Sequence, residues 1–390
     1  MKILYVHQYF NTPADGGSLR SYYLAKELVK KGCKVVVITA HNNPIRVKSV
    51  IEGIEVTYLP VGYDNQMSFS QRGKAFLKFM TLAILESVKQ RDINLCYVMT
   101  SPLSTGAVAL FNKLLLQRPY IFEVGDIWPE VPIEMGLIKT NWKRNVLRLL
   151  ERIFYKHACG LVGLSEPITS HLERLAPDVP RQTIFNISDC ETFKYMPKQR
   201  AYTQQYGLED KFVISYTGTF GLANDLCRMI DLAEAVSDLP IAFLMIGEGA
   251  EKRKFESELE ESDLTNIHVY GAMPKQEIHH VVNISDAMLV SFADFPSLHT
   301  GSPNKFFDAL AAGKLIVSNF DGWIGELIQK ENCGIVITSP IDFRNKIEPF
   351  INDSAKLSIY QAKAKELAEQ RFSLEIQSKK QFDFIQQVIN

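Results

Sequence analysis

Short, continuously apolar runs alternate with longer stretches of helical periodicity along nearly the whole chain. Residues 3–7, 34–39, 55–59, 95–99, 120–124 and 160–164 read as strands. Between them, residues 19–31, 69–91, 104–117 and 142–157 carry apolar side chains at helical spacing. Strands without polar alternation are buried on both faces, and strand–helix alternation supplies that burial through a parallel sheet covered by helices. A polar interval at 195–210, rich in Lys, Arg, Gln and Pro, interrupts the pattern and reads as a linker with a short helix. The alternation then restarts with strands at 212–216, 241–246, 266–270, 287–291 and 315–318. A helical stretch at 355–390, broken around Phe372-Ser373, ends the chain.

This pattern predicts an α/β protein of two Rossmann-like, doubly wound domains in series, with a boundary near 190–200. A chain of 390 residues is also too long for one typical core. Ligands of such sheets bind at the carboxyl ends of the strands, so the cleft between two domains is the default site.

Composition narrows the classes. The chain is 46% hydrophobic and 22% charged, with a formal net charge of -1, which gives no reason to expect a nucleic-acid binder. The six cysteines lie far apart without C-x-x-C or Cys/His clustering. That argues against a disulfide framework or a zinc site and fits a reducing compartment. The first residues run straight into a strand, which predicts no signal peptide, and no apolar run reaches the roughly 18 residues of a spanning helix. The expected location is cytoplasmic.

Candidate chemistry gathers at strand ends. In the first half, residues 10–18 join strand to helix through Gly16 and Gly17, with Ser18 placed to cap the helix. In the second half, Tyr216-Thr217-Gly218-Thr219-Phe220-Gly221 follows the first strand in the same way. Neither turn is G-x-G-x-x-G or a P-loop, so a nicotinamide, flavin or P-loop reading is weak. Residues 246–253 end a strand at Gly247 and Gly249 and start a helix with adjacent cations. Arg253 could reach phosphates from there, or simply be a solvated helix-start cation. Residues 299–313 turn at Gly301 and Pro303 and enter a helix with Phe306, Phe307, Leu310 and Ala311 on one side. Free amides, Lys305 and Asp308 on neighbouring turns suit a nucleotide diphosphate, with phosphates on Lys305 and the amides and ribose hydroxyls on Asp308. The alternative is a capped helix with solvated charges. Asp126 and Glu130 flank Trp128 after the fifth strand and could orient a sugar hydroxyl, act as general base, or cap a turn.

Taken in order, these motifs resemble a known family. They are the Gly-Gly loop, Asp126-Ile-Trp-Pro-Glu130, Ile184-Phe-Asn186-Ile-Ser-Asp189, Thr217-Gly-Thr-Phe-Gly221, Ile246-Gly-Glu-Gly249, Tyr270-Gly-Ala272 and Pro303-Asn-Lys-Phe-Phe-Asp308. The chain is similar to retaining glycosyltransferases of family 4, with the GT-B fold, and in particular to the branch that builds O-antigen and capsule repeats with N-acetylated amino sugars. The resemblance implies a nucleotide-diphosphate sugar donor, usually UDP-linked, on a C-terminal domain (194–372). It implies an acceptor on an N-terminal domain (1–193), and a last helix (373–390) crossing back onto that domain. Neither metal nor cofactor is implied. Lys305 and Arg253 would meet the phosphates together with Gly218, Thr219, Gly221, Gly301, Ser302, Pro303 and Asn304. Tyr270, Gly271 and Ala272 would meet the base, Asp308 the ribose, and Asp126 and Glu130 a sugar.

There are departures. The family's two glutamates map to Thr300 and Asp308, and the Arg/Lys pair expected after the second glycine turn is replaced by Thr219 and Asn224-Asp225. Lys305 should therefore carry more of the phosphate charge. A degenerate, nucleotide-sugar-binding partner of another transferase, or a sugar-nucleotide epimerase, are the competing readings.

Two basic amphipathic stretches fit a lipid-linked acceptor and a peripheral position on the inner face of the cell membrane. The first, apolar nearly all round, carries Phe76, Phe79 and Met80 with Lys74 and Lys78. The second places Arg144, Arg148, Arg152 and Lys156 four apart.

Overall fold

The computed structural model describes residues 1–13, 17–64 and 67–389, without the side chains of 275 and 276. The chain forms two compact units. Unit 1 comprises Met1–Phe185, Thr300–Ser302 and Leu374–Asn390; unit 2 comprises Asn186–His299 and Pro303–Ser373.

In unit 1 the elements follow as β1 (Lys2–Val6), α1 (Arg20–Lys30), β2 (Lys34–His41), β3 (Val47–Ile51), β4 (Ile54–Pro60), α2 (Phe69–Lys89), β5 (Leu95–Met99), α3 (Thr105–Leu116) and β6 (Tyr120–Val124). They continue with α4 (Glu130–Glu134), α5 (Asn141–Lys156), β7 (Gly160–Gly163), α6 (Glu166–Leu175) and β8 (Arg181–Thr183). The sheet order is β3-β4-β2-β1-β5-β6-β7-β8, parallel except for the β3–β4 hairpin. Strands β5 and β6 are buried at every position, as central parallel strands with two covered faces must be.

The β3 strand was not among the sequence expectations. It alternates between half-buried and exposed residues and turns through Glu52 and Gly53, both at positive φ (47° and 84°), the conformation of a two-residue hairpin turn. The short strands β8 and, in unit 2, β14 were also missed.

Unit 2 contains α7 (Arg200–Gln205), β9 (Phe212–Thr217), α8 (Arg228–Glu234), β10 (Ile241–Ile246), α9 (Lys252–Glu261), β11 (Ile267–Tyr270), α10 (Lys275–Ile284) and β12 (Ala287–Val290). Then come α11 (Asn304–Ala311), β13 (Leu315–Ser318), α12 (Trp323–Glu331), β14 (Gly334–Val336), α13 (Pro340–Asn352) and α14 (Ser354–Leu367). Its sheet order is β11-β10-β9-β12-β13-β14, with parallel pairing throughout. The crossovers reverse direction at β9, so the switch point that opens a binding crevice lies between β9 and β12.

After α14 a π turn (Ala368–Phe372) leads into α15 (Leu374–Ile389). This last helix belongs to unit 1. Phe384 and Ile385 join the core that contains Ile3, Tyr5, Val35 and Ile121, and the Gln377 side chain accepts the Phe185 amide (2.9 Å).

One buried ion pair organises unit 1. Arg20, at the start of α1, donates from Nε and Nη2 to the two carboxylate oxygens of Glu123 in β6 (3.0 and 3.1 Å). It also donates to the carbonyls of Ile184 (2.9 Å) and Phe185. Tyr97 of β5 donates to Glu123 (2.5 Å). Charges this deep persist only when fully paired. Here the pairing ties α1, two strands and the end of the segment after β8 together.

Candidate functional site

In unit 2, three chain segments meet at the carboxyl ends of β10, β9 and β12. The loop after β9 packs against the loop after β10 through Gly218 N–H to the Ile246 carbonyl (2.9 Å), Phe220 N–H to Glu248 (3.0 Å) and Glu251 N–H back to Phe220 (2.9 Å). The approach is close enough that a Cβ on Gly247 (φ 154°) would lie 1.7 Å from the Gly218 carbonyl oxygen. Only glycine fits there, which explains the spacing of the second glycine motif.

The third segment supplies Lys305, the second residue of α11, which begins after Pro303. A Cβ on Gly218 would lie 3.1 Å from Lys305 Cε and 3.4 Å from its Nζ, so the ammonium abuts the Gly218 turn. Lys305 Nζ donates to the Asn224 side-chain oxygen (3.3 Å) and lies 4.7 Å from the centre of the Tyr216 ring. Asn224 is itself anchored to the Thr219 carbonyl (3.0 Å), as is the Tyr216 hydroxyl (2.8 Å). Among the described residues no carboxylate pairs with Lys305. The surrounding protein desolvates the ammonium and pushes its pKa down to about 8. A cation held between amides and an aromatic face, without an anion, is a ready anion-binding group. Asn224, which stands where the family has a cation, thus becomes the side chain that positions the remaining one.

Other expected residues take distinct places. Asp308 is half-buried one turn beyond Lys305, and exposed Asn304 accepts from Asn186 (3.1 Å). Gly218 and Thr219 are exposed and Gly221 half-buried. Tyr270 ends β11, where its carbonyl accepts the Gly247 amide (3.1 Å), and exposed Gly271 and Ala272 follow. Arg253 is exposed on the first turn of α9, while neighbouring Lys252 pairs with Glu248 (2.7 Å). Thr300, Gly301 and Ser302 cluster with unit 1, where the Thr300 carbonyl accepts from Ser165 (2.6 Å).

In unit 1, Gly17 holds φ 74° beside Asn11, whereas Gly16 lies outside the described residues. Asp126 is open to solvent along one side, accepts from Ser101 (3.2 Å), and is otherwise surrounded by protein. That desolvation raises its carboxyl pKa, with the Ser101 hydrogen bond opposing. Glu130 behaves differently. Arg148 of α5 grips it with two hydrogen bonds (2.7 and 2.8 Å) and holds its pKa below the usual carboxylate range. Glu130 is thus an ion-paired, partly exposed carboxylate that fastens α4 to α5. His7, after β1, is buried and bonded to Ser21 (2.8 Å). Burial and nearby Arg20 push its pKa to about 3, so it is a neutral structural imidazole. Among the described residues, no three His, Cys, Asp or Glu side chains gather as a metal site.

The expected membrane face is also revised. Phe79 is fully buried in the unit 1 core, Met80 packs against it, and Phe76 contacts Tyr63 and Trp128. On α2 the exposed apolar residues are instead Phe69, Leu77, Leu85 and Val88, while Lys74 and Lys78 are exposed. Helix α5, ranked second by the sequence, exposes Trp142 (63%), Val146 (45%) and Leu149 (57%). No helix among the described residues is long and apolar enough to cross a membrane.

Residues 15–186 match the family described as glycosyl transferase 4-like domain, and residues 198–370 match glycosyl transferases group 1. Each half of the chain thus carries a glycosyltransferase family domain, on the two-domain GT-B fold. Among curated proteins, the transferase is 25% identical over 228 residues to the probable glycosyltransferase WbjE of Pseudomonas aeruginosa. The match covers 57% of this chain and spans about half (54%) of that relative's length. Among solved structures it is similar to sucrose-phosphate synthase from Thermosynechococcus elongatus (TM-score 0.78, 15% identity, 99% of this chain and 98% of that one). It also resembles Anabaena HepE in complex with UDP (TM-score 0.71, 17% identity, 99% and 100%). At these identities the two structures speak for the transferase's fold alone.

Proposed function

We propose that the transferase moves a sugar, of the N-acetylated amino or deoxyamino kind, from a UDP-linked donor to a lipid-linked saccharide in surface polysaccharide synthesis, with retention of configuration. The observation that carries this reading is the Lys305 ammonium, without a carboxylate partner among the described residues, beside the Gly218 turn, which interlocks with the Gly247 turn at the switch point of unit 2. That arrangement suits a diphosphate, with Asp308 one turn away for the ribose and the 270–272 backbone for the base. Arg253, free of ion pairs among the described residues, is placed to join the outer phosphate.

In the mechanism proposed, the bond between the anomeric carbon and the donor phosphate oxygen breaks, and the acceptor oxygen forms its bond on the same face. The acceptor proton passes to the departing phosphate, giving UDP and the glycoside. Lys305 and the glycine-loop amides stabilise the charge that grows on that phosphate, the term that dominates such catalysis. Asp126, with its raised pKa, is assigned to hold a sugar hydroxyl.

A lipid-linked acceptor calls for a peripheral position on the inner face of the membrane. Support comes from the exposed α5 stripe and from a cavity of about 530 Å³ at its end, lined by Arg152, Lys156, Arg174 and one acid, Asp178. Exposed aromatic and aliphatic residues beside unneutralised cations suit an anionic bilayer surface.

The test is UDP release by purified protein across a panel of UDP-sugars with a lipid-pyrophosphate sugar acceptor, with NMR assignment of the product anomer. Release with a retained anomer supports the reading. Nucleotide-sugar binding without turnover on every pair would instead favour a non-catalytic partner, and interconversion of the donor sugar an epimerase.

A further inference from the structure

Unit 1 carries a second pocket, which none of the roles above uses. It has a volume of about 290 Å³ and opens where three adjacent parallel strands end: Gln8 and Tyr9 follow β1, His41 ends β2, and Val61 follows β4. Gln8 is 1% exposed, yet neither its amide nitrogen nor its amide oxygen has a hydrogen-bond partner. The fault is confined to the side chain, because the Gln8 carbonyl accepts from Ala40 N–H and the Thr39 hydroxyl (3.2 Å each). The Tyr9 hydroxyl is likewise buried; it makes no well-aligned hydrogen bond, although the Tyr63 side chain lies close enough to interact with it. Buried amides are ordinarily satisfied, so a donor–acceptor pair left open in a pocket wall calls for a ligand or water.

The walls specify the ligand class. Tyr9 and Tyr63 lie 4.9 Å apart at 58°, and Tyr58 adds a third aromatic side. Asn42 accepts the Tyr63 amide through its oxygen (2.9 Å), which leaves its NH₂ as a donor. Among the described lining residues none is Lys, Arg, Asp or Glu. Arg72, whose guanidinium lies 5.8 Å from the Tyr63 ring centre, is engaged from Nε by the Met67 carbonyl (3.0 Å). A phosphate or carboxylate would find no lysine or arginine among the described residues of the wall itself. A neutral polyhydroxylated ring would find amide partners for its hydroxyls and aromatic faces for its C–H side.

We infer that this pocket binds a neutral sugar residue of the acceptor, with hydroxyls bridging the Gln8 amide and the Tyr9 hydroxyl and one ring face against the tyrosines. The inference rests on the transferase reading but predicts binding without turnover. The full chain is titrated with methyl glycosides of neutral hexoses and N-acetylhexosamines by ligand-observed saturation-transfer NMR, with a methyl hexuronide as the charged probe. At least one neutral glycoside is expected to bind and the hexuronide not to. Gln8→Met, which keeps the shape but removes both hydrogen-bonding atoms, is expected to weaken binding about tenfold or more. Tyr63→Ala serves as a second variant with the same expected loss. Circular dichroism and UDP affinity of both variants are expected to match the unsubstituted protein. Failure of every neutral glycoside to bind overturns the proposal and leaves an interior water as the partner of Gln8. So does wild-type affinity in both variants, or preference for the hexuronide. Loss of UDP binding with glycoside binding intact would sink the donor reading and leave this pocket standing.

Discussion

Arg20 and Lys305 are both cations at the first turn of a helix, one in each unit, and they are treated in opposite ways. Arg20 has two hydrogen bonds to Glu123 and two more to backbone carbonyls. Lys305 has one side-chain oxygen at 3.3 Å and an aromatic face. A cation with four of its five N–H donors engaged holds the fold together. One left short of an anion gives up stability and keeps the capacity to bind. The contrast separates a charge spent on the fold from one left without an anion.

The largest expected effect breaks the Arg20 side of the comparison. Arg20→Met leaves the Glu123 carboxylate buried with only the Tyr97 hydroxyl as a partner, and is expected to cost about 3–5 kcal/mol in urea unfolding. The double variant Arg20→Met/Glu123→Leu should recover much of that loss. Equal loss in both would mean that packing, not charge, is what Arg20 supplies.

Lys305→Ala is expected to behave in the reverse manner. Turnover should fall by about 10²–10³, the scale of one lost group stabilising a developing oxyanion, while the melting temperature stays level or rises. A lower melting temperature with unchanged turnover would make Lys305 a second structural cation.

The pH dependence sharpens the same point. Desolvation lowers the Lys305 pKa to about 8, so the unfolded chain, with an ordinary lysine, holds the extra proton between pH 8 and the unfolded pKa. In that window the contribution of Lys305 to stability improves as pH rises, and below pH 8 its penalty is constant. Nucleotide binding has the opposite sign. A phosphate favours the charged form, so binding takes up a proton, and UDP affinity should decline above pH 8 by at most about tenfold per unit. Calorimetry in two buffers of different ionisation enthalpy reads the uptake directly. Lys305→Arg, charged throughout, should flatten the slope.

The smallest effect concerns the surface of unit 1. Trp142→Ser is expected to weaken flotation with anionic vesicles several-fold at low salt, with UDP release in detergent unchanged. Flotation equal to the unsubstituted protein would remove α5 from the membrane face.

Much of the fold was readable because its strands are short, apolar and separated by amphipathic helices, all local signals. The glycine turns and Lys305 were readable for the same reason, since each motif lies within a few residues of a strand end or helix start. What escaped depends on distant partners. The ion pair of Glu130 left no local trace because Arg148 lies eighteen positions away on another helix. Phe79 looked like a membrane anchor because periodicity shows that a helix is apolar on many sides but not which side the sheet covers. One missed residue did leave a trace. Glu123 is a carboxylate inside a five-residue strand that is otherwise apolar, and such a group must find a buried cation. The β3 hairpin also left one, in the alternation of 47–51 before Glu52-Gly53.

The placement of α15 has a consequence for how the protein is made. Its Phe384 lies against Gly160, where a Cβ would meet the ring at 2.9 Å, and Ile385 covers the same sheet face as Ile3 and Tyr5. Strand β1 leaves the ribosome well before α15, so its apolar face waits for that helix before it is closed. During synthesis unit 2 can finish while unit 1 is still open, reversing the usual order in which the leading part of a chain is completed first. Premature termination anywhere before residue 384 would release a chain with an uncovered sheet, a substrate for chaperones and proteases rather than a slightly shortened enzyme.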